Sequence, residues 1–213
     1  MPVMNDREYR RIDCAQLETR SQEDGAMIVE GYATTFGQEY ELYRNGDFVL
    51  LESVDPHAFD MCDMSDVIMQ YDHEGRVFAR NRNRTLELTP DEHGLRIRAI
   101  LSGTEIGRQL FQEIAGGYTD RMSFGFKVAE GGETRRQEII DGITYEHRVI
   151  TQITKLFDVS AVSLPANDAT EISARNLGEG VIARITEERR AEEERQRKIQ
   201  RIKILMEVNR NEH

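Results

Sequence analysis

The sequence predicts a mainly β protein of the α+β class: a closed or partly closed β-barrel ringed by a few helices, followed by a charged helical arm. Short β-type runs recur at turn-spaced intervals through the first 177 residues, and only two stretches among them have helical character. From about Gly178 the composition shifts. Ile182 to Val208 is rich in Glu, Arg and Gln and contains no Gly or Pro, a strong helix by propensity. The chain therefore divides into a barrel domain, residues 1–177, and an arm, residues 178–213.

The first eight residues form a loose polar start. Ala26 to Ala33 is a β-type run and Phe48 to Leu51 a second. Asp55-Pro56-His57-Ala58-Phe59 has the form of a helix start, with Asp55 as cap and Pro56 in the first helical position. Val67 to Tyr71 is a third strand, ending in the turn residues Asp72-His73-Glu74-Gly75. Leu86 and Leu88 alternate with polar residues, Pro90 to Gly94 turns the chain, and Leu95, Ile97, Ala99 and Leu101 alternate again. That pair is the clearest hairpin. Thr104 to Ile114 carries apolar residues at 106, 110, 111 and 114, which is helical spacing, and Gly116-Gly117 stops it. Gly131 to Asp141 has the composition of a polar, mobile loop. Thr144 to Val149, Ile150 to Phe157 and Asp158 to Leu164 follow as strands, ended by Pro165. In the arm, Glu193 faces Arg197 and Glu194 faces Lys198 at helical spacing. Its apolar residues lie only at its ends: Ile182, Ala183 and Ile185, then Ile199, Ile202, Leu205 and Met206. Such a helix is solvated along its middle, and its far end is suited to meeting a partner.

Composition narrows the function. Of 213 residues, 38% are hydrophobic and 31% charged, which fits a folded core carrying a charged segment. A net charge of -11 argues against a nucleic-acid backbone as the main partner. Cys14 and Cys62 are the only cysteines, too few for a disulfide framework and wrongly spaced for zinc, so both are expected as reduced thiols in a cytosolic chain. The N-terminus lacks the apolar core of a signal peptide, and no stretch approaches the ~20 apolar residues of a membrane span.

The chemistry centres on Asp120 to Val128. Met122, Phe124, Phe126 and Val128 alternate with Ser123, Gly125 and Lys127, so a strand turns the first set into the core and Ser123 to the other, wet face. Gly125 leaves space beside the hydroxyl, and glycine inside a strand often marks a close approach. A serine nucleophile needs a base and a group that orients the base. Of His57, His73, His93, His147 and His213, His73 stands apart because it closes an apolar strand. Asp158 lies in an otherwise apolar or small run, where a carboxylate is costly unless paired. An imidazolium, Lys155 or an arginine would each serve. Ser160 and Ser163 are alternative nucleophiles without a glycine neighbour. Asp72, His73 and Glu74 make only a weak case for a metal hydrolase, because adjacent residues on a turn diverge.

These segments, in order, resemble the prohead (capsid maturation) serine proteases of tailed bacteriophages. The likeness runs over residues 25–175. It takes in Val29-Glu30-Gly31-Tyr32-Ala33, Asp55-Pro56-His57-Ala58-Phe59, Tyr71-Asp72-His73-Glu74, Gly94-Leu95-Arg96, Met122-Ser123-Phe124-Gly125-Phe126 and Asp158-Val159-Ser160-Ala161-Val162-Ser163-Leu164-Pro165-Ala166. The resemblance implies a fold like that of the herpesvirus assembly proteases, with His73 as base, Ser123 as nucleophile and Asp158 as third member, and no metal or cofactor. Two departures stand out: the family more often has Glu in place of Asp158, and a Leu-Gly pair where this chain has Phe78-Ala79. The implied activity is a serine endopeptidase that cleaves scaffold and major capsid precursor in the assembling prohead of the host cytoplasm, with self-cleavage. Implied partners are those proteins, the portal, and a second copy of the chain; nucleic acid and membrane are not among them. The competing reading is a non-enzymatic assembly or scaffolding protein that binds the shell through its arm.

Overall fold

The computed structural model describes residues 7–12, 17–23, 25–162 and 168–211, with side chains placed for all of these except 11–12, 168–176 and 203–211. The expected mainly β character holds, with one long helix at the C-terminal end. The strands form three open sheets, and hydrogen bonding closes none of them into the expected barrel. One sheet orders β1 (Glu8–Ile12), β10 (Arg121–Val128), β13 (Ile153–Val162), β6 (Ile68–Tyr71) and β7 (Glu74–Arg80). A second orders β11 (Glu133–Ile140), β12 (Ile143–Ile150), β5 (Phe48–Val54) and β4 (Tyr40–Asn45). The third orders β2 (Glu18–Ser21), β3 (Met27–Thr35), β9 (Gly94–Ile100) and β8 (Leu86–Pro90). Pairing is antiparallel except between β12 and β5 and between β13 and β6.

Alternation decides which faces are buried. Val29, Ile97, Ala99, Met69, Met122, Phe124, Phe126, Val159 and Ala161 are fully buried in one core. Phe124 and Phe126 stack with centroids 4.5 Å apart. Helix α1 (Glu105–Ala115) forms at the predicted stretch. Thr104 caps it by accepting from the Gly107 N–H at 3.0 Å, and the buried Leu110, Phe111 and Ile114 form its inner stripe.

Three expectations need correction. Asp55 to Phe59 does not open a helix. Ala58 N–H donates to Asp55 O at 3.0 Å and Asp60 N–H to His57 O at 3.1 Å, so the segment is a chain of turns. Asp55 still caps locally, accepting from His57 N–H at 2.8 Å. The segment from 131 to 141 is not a loop: most of it is β11, hairpinned to β12 through Asp141 and Gly142, both at positive φ (51° and 81°). Asp-Gly is a strong hairpin signal, hidden here by the charged residues on both faces. The two strands expected over 150–164 are one strand, β13, described as far as Val162, and Glu74 to Arg80, not expected as a strand, forms β7.

A charged cluster lies between the first two sheets. Glu52, fully buried, accepts from Arg10 Nε at 2.5 Å, Arg148 Nη1 at 2.5 Å and Tyr40 OH at 2.6 Å. Burial raises the Glu52 carboxyl, but Arg10 and Arg148 outweigh it and hold it down at about 2. Arg148 also binds Glu133 at 2.5 Å and Glu8 at 2.8 Å, and Arg10 pairs with Glu8. Such a cluster adds little net stability, because desolvating its members offsets much of their attraction.

The chain separates into two compact units, Met1–Ala174 and Arg175–His213. Most of α2 (Asp168–Asn211), which runs as one helix, belongs to the second. Glu193 and Arg197 meet there at 3.9 Å, and Ile199 and Ile202 are 38% and 53% exposed. Leu205 and Met206 have side chains outside the described set. No helix among the described residues is long and apolar enough to cross a membrane.

Candidate active site

The turn between β6 and β7 carries the histidine. Tyr71 pairs with Glu74, leaving Asp72 and His73 as a two-residue hairpin loop. Both have positive φ, 49° and 60°, as a type I′ turn requires. Asp72 N–H donates to Ala161 O at 3.0 Å, tying the turn to β13. The tight turn therefore aims the His73 ring back across the sheet, over β13 and β10.

Those two strands supply the other groups. In the antiparallel register Ser123 faces Ser160 and Gly125 faces Asp158. The register shifts between Gly125 and Phe126, which leaves Phe157 as an extra residue on β13. His73 Nε2 lies 2.5 Å from Ser123 Oγ, and His73 Nδ1 lies 2.5 Å from Asp158 Oδ1. Ser160 Oγ donates to the same Oδ1 at 3.0 Å, fixing the carboxylate. The structure thus brings together the three residues singled out in the sequence. With a proton on Nδ1 facing the carboxylate, Nε2 is left as an acceptor for the serine hydroxyl. Burial and the nearby Arg7 guanidinium push the His73 imidazolium down to about 3, so the ring is neutral near neutral pH and Nε2 is free of a proton.

The remaining candidates are elsewhere. His57 is exposed and faces Asp60 at 3.1 Å. His93 packs edge-on against Tyr32. His147 sits between Glu39 at 2.8 Å and Glu138 at 3.0 Å. Lys155 pairs with Asp63 at 3.0 Å, so it is not the cation beside Asp158. Cys62 is a free thiol that burial pushes up to about 11. Cys14, Ser163 and His213 lie outside the described residues. No group of His, Cys, Asp and Glu among the described residues is arranged to hold a metal.

Two features of the site depart from the sequence reading. Ser123 is fully buried, not on a wet face. The space beside Gly125 is filled: a Cβ there would run into Asp158 Oδ2 and the Arg7 guanidinium. Both follow from β1, which the sequence reading took in part for a loose start. Arg7 is ion-paired with Asp158, the Tyr9 ring packs on His73 at 4.5 Å, and Arg10 O accepts from Ser123 Oγ at 2.9 Å. The only sequence signal for β1 is the short alternation Glu8-Tyr9-Arg10, which its charges obscure.

A model of the caudovirus prohead serine protease family matches residues 15–181. Among solved structures, the capsid assembly protease gp21 of bacteriophage T4 matches at 13% identity, over 74% of this chain and 99% of that chain, with a TM-score of 0.41. Comparison with curated proteins gives no match. The family match spans well over half of the sequence, and the chain belongs to the caudovirus prohead serine proteases.

Proposed function

We propose that this chain is a serine endopeptidase whose triad is Ser123, His73 and Asp158. The observation that carries this reading is the continuous hydrogen-bonded path from Asp158 through His73 to Ser123, in a member of this protease family. Ser123 Oγ attacks a peptide carbonyl carbon while His73 Nε2 takes its proton. The tetrahedral adduct collapses, the C–N bond breaks, and His73 hands that proton to the leaving amine. Water then attacks the acyl ester, with His73 taking a proton from it and returning one to Ser123. Asp158 holds the Nδ1–H tautomer and stabilises the transient imidazolium.

The substrates fitting this reading are the major capsid precursor, the scaffold and the chain itself, inside the assembling prohead. A fluorophosphonate probe tests the chemistry. Mass spectrometry is expected to find the label on Ser123 in wild type and none on His73→Ala. Labelling independent of His73, or at another serine, overturns the reading.

The domain boundary of residues 1–177 and 178–213 divides the labour: cleavage in the first, docking in the second. Exposed Ile199 and Ile202 on α2 give the arm an apolar end for the scaffold, the portal or a second copy. Deleting residues 180–213 is expected to preserve cleavage of a free peptide and to lower incorporation into heads several-fold, read by immunoblot of purified proheads. Equal incorporation removes the docking role.

A further inference from the structure

Every member of the proposed triad is touched by one short strand near the N-terminus, β1, or by Arg7 immediately before it. β1 pairs antiparallel with β10, the strand that carries Ser123, placing Arg11 opposite Ser123 and Tyr9 opposite Gly125. From that position Arg10 O takes a hydrogen bond from Ser123 Oγ, Tyr9 covers the His73 ring and Arg7 holds Asp158 Oδ2. The Arg7 guanidinium is itself sandwiched, 5.0 Å from the Tyr9 ring and 4.6 Å from that of Phe157. Ser123 and Asp158 are left fully buried.

That arrangement opposes catalysis in two ways. An extended peptide cannot reach Ser123 Oγ while the β1 backbone lies against it. The serine hydroxyl also has one proton and two acceptors, His73 Nε2 at 2.5 Å and Arg10 O at 2.9 Å. The β1 carbonyl therefore competes with the base for the proton that the base must remove.

β1 is also built to leave without unbalancing what it leaves behind. Its two residues in the charged cluster, Glu8 and Arg10, carry opposite charges and pair with each other. Once they are withdrawn, Glu52 keeps Arg148 at 2.5 Å and Tyr40 at 2.6 Å, and Glu133 keeps Arg148 and Arg135. No carboxylate of the cluster is orphaned.

We propose that β1 is an autoinhibitory strand, seated on β10 across Ser123, His73 and Asp158, and that a substrate peptide gains the nucleophile only when β1 lifts away. The proposal rests on the triad reading above. A tethered strand has an effective concentration on the order of millimolar, so dilute peptide competes with it poorly. Densely packed precursor competes well.

The test measures access separately from catalysis. In full-length Ser123→Cys, the rate of iodoacetamide alkylation at position 123 is followed by peptide mapping, which separates it from Cys14 and Cys62. Adding Arg7→Ala and Tyr9→Ala removes the contacts to Asp158 and His73 while leaving Arg10 in its cluster. Alkylation at 123 is expected to accelerate by about tenfold or more, as a loss of 1–2 kcal/mol in strand seating implies. Tyr9→Phe with Arg7→Lys keeps the parent rate. If the double variant does not fold, Tyr9→Ala alone carries the same comparison. Equal alkylation rates in folded chains overturn the proposal. Faster alkylation with no fluorophosphonate label on the corresponding Ser123 chain supports the strand's role and instead defeats the serine protease reading.

Discussion

Ser123→Ala is expected to leave co-expressed capsid precursor at full length. Removing the nucleophile from a triad costs on the order of 10⁴-fold or more in turnover, about 5.4 kcal/mol of transition-state stabilisation at that lower bound. The fold tolerates the change. Ser123 is buried on β10 with its Cβ retained in alanine, and only the hydroxyl contacts to His73 and Arg10 O are lost. Such a loss costs about 1 kcal/mol, a shift of a few degrees in melting temperature for a domain of this size. Gel electrophoresis of the precursor, with circular dichroism melting of the purified variant, checks both halves. A precursor still trimmed at its normal site removes Ser123 from the nucleophile's role and turns attention to Ser160.

Asp158→Asn is expected to lower turnover by about 10³-fold, or about 4 kcal/mol. The equivalent change in one well-studied serine protease costs about 10⁴. Asn keeps the shape but offers an amide where His73 Nδ1–H needs a carboxylate, so the ring can settle in the tautomer that blocks Nε2. Asp being one methylene shorter than the family's usual Glu does not leave a gap here, since Oδ1 sits 2.5 Å from Nδ1. Asp158 is also the counter-ion of Arg7, so the variant loses stability as well. Arg7→Ala separates the two roles: it removes the ion pair and keeps the carboxylate on His73. Turnover per folded molecule is expected to fall for Asp158→Asn and not for Arg7→Ala. A less stable but fully active Asp158→Asn chain removes the carboxylate from the triad.

The sequence showed the core strands and the candidate site residues for the same reason: both are written in local alternation. Met122, Phe124 and Phe126 mark one face of β10 and thereby place Ser123 on the other. His73 ends an apolar run, and Asp158 interrupts one. β1, β7 and β11 were not legible because charged residues interrupt any apolar periodicity in them. β11 reads burial as alternating half-exposed and exposed residues, and it is held by pairing with β12 more than by a core of its own. The three open sheets were not legible either, and a closed barrel was expected in their place: local alternation identifies strands and their faces, while sheet order depends on contacts between distant segments. The burial of Ser123 had no local signal, since it comes from residues more than a hundred positions earlier in the chain.

The parallel pairing of β13 with β6 has a consequence for synthesis. His73 emerges from the ribosome early, Ser123 later, and Asp158 in the last strand described for the body. Long-range pairing of this kind forms slowly, because loop closure must precede the contacts that reward it. A nascent chain that ends between Ser123 and Asp158 therefore carries His73 and Ser123 without Asp158, and without the Ala161 carbonyl of β13 that ties down the Asp72–His73 turn. On the proposed triad, truncated translation products are expected to be inert, and competence is expected only once β13 joins β10 to β6.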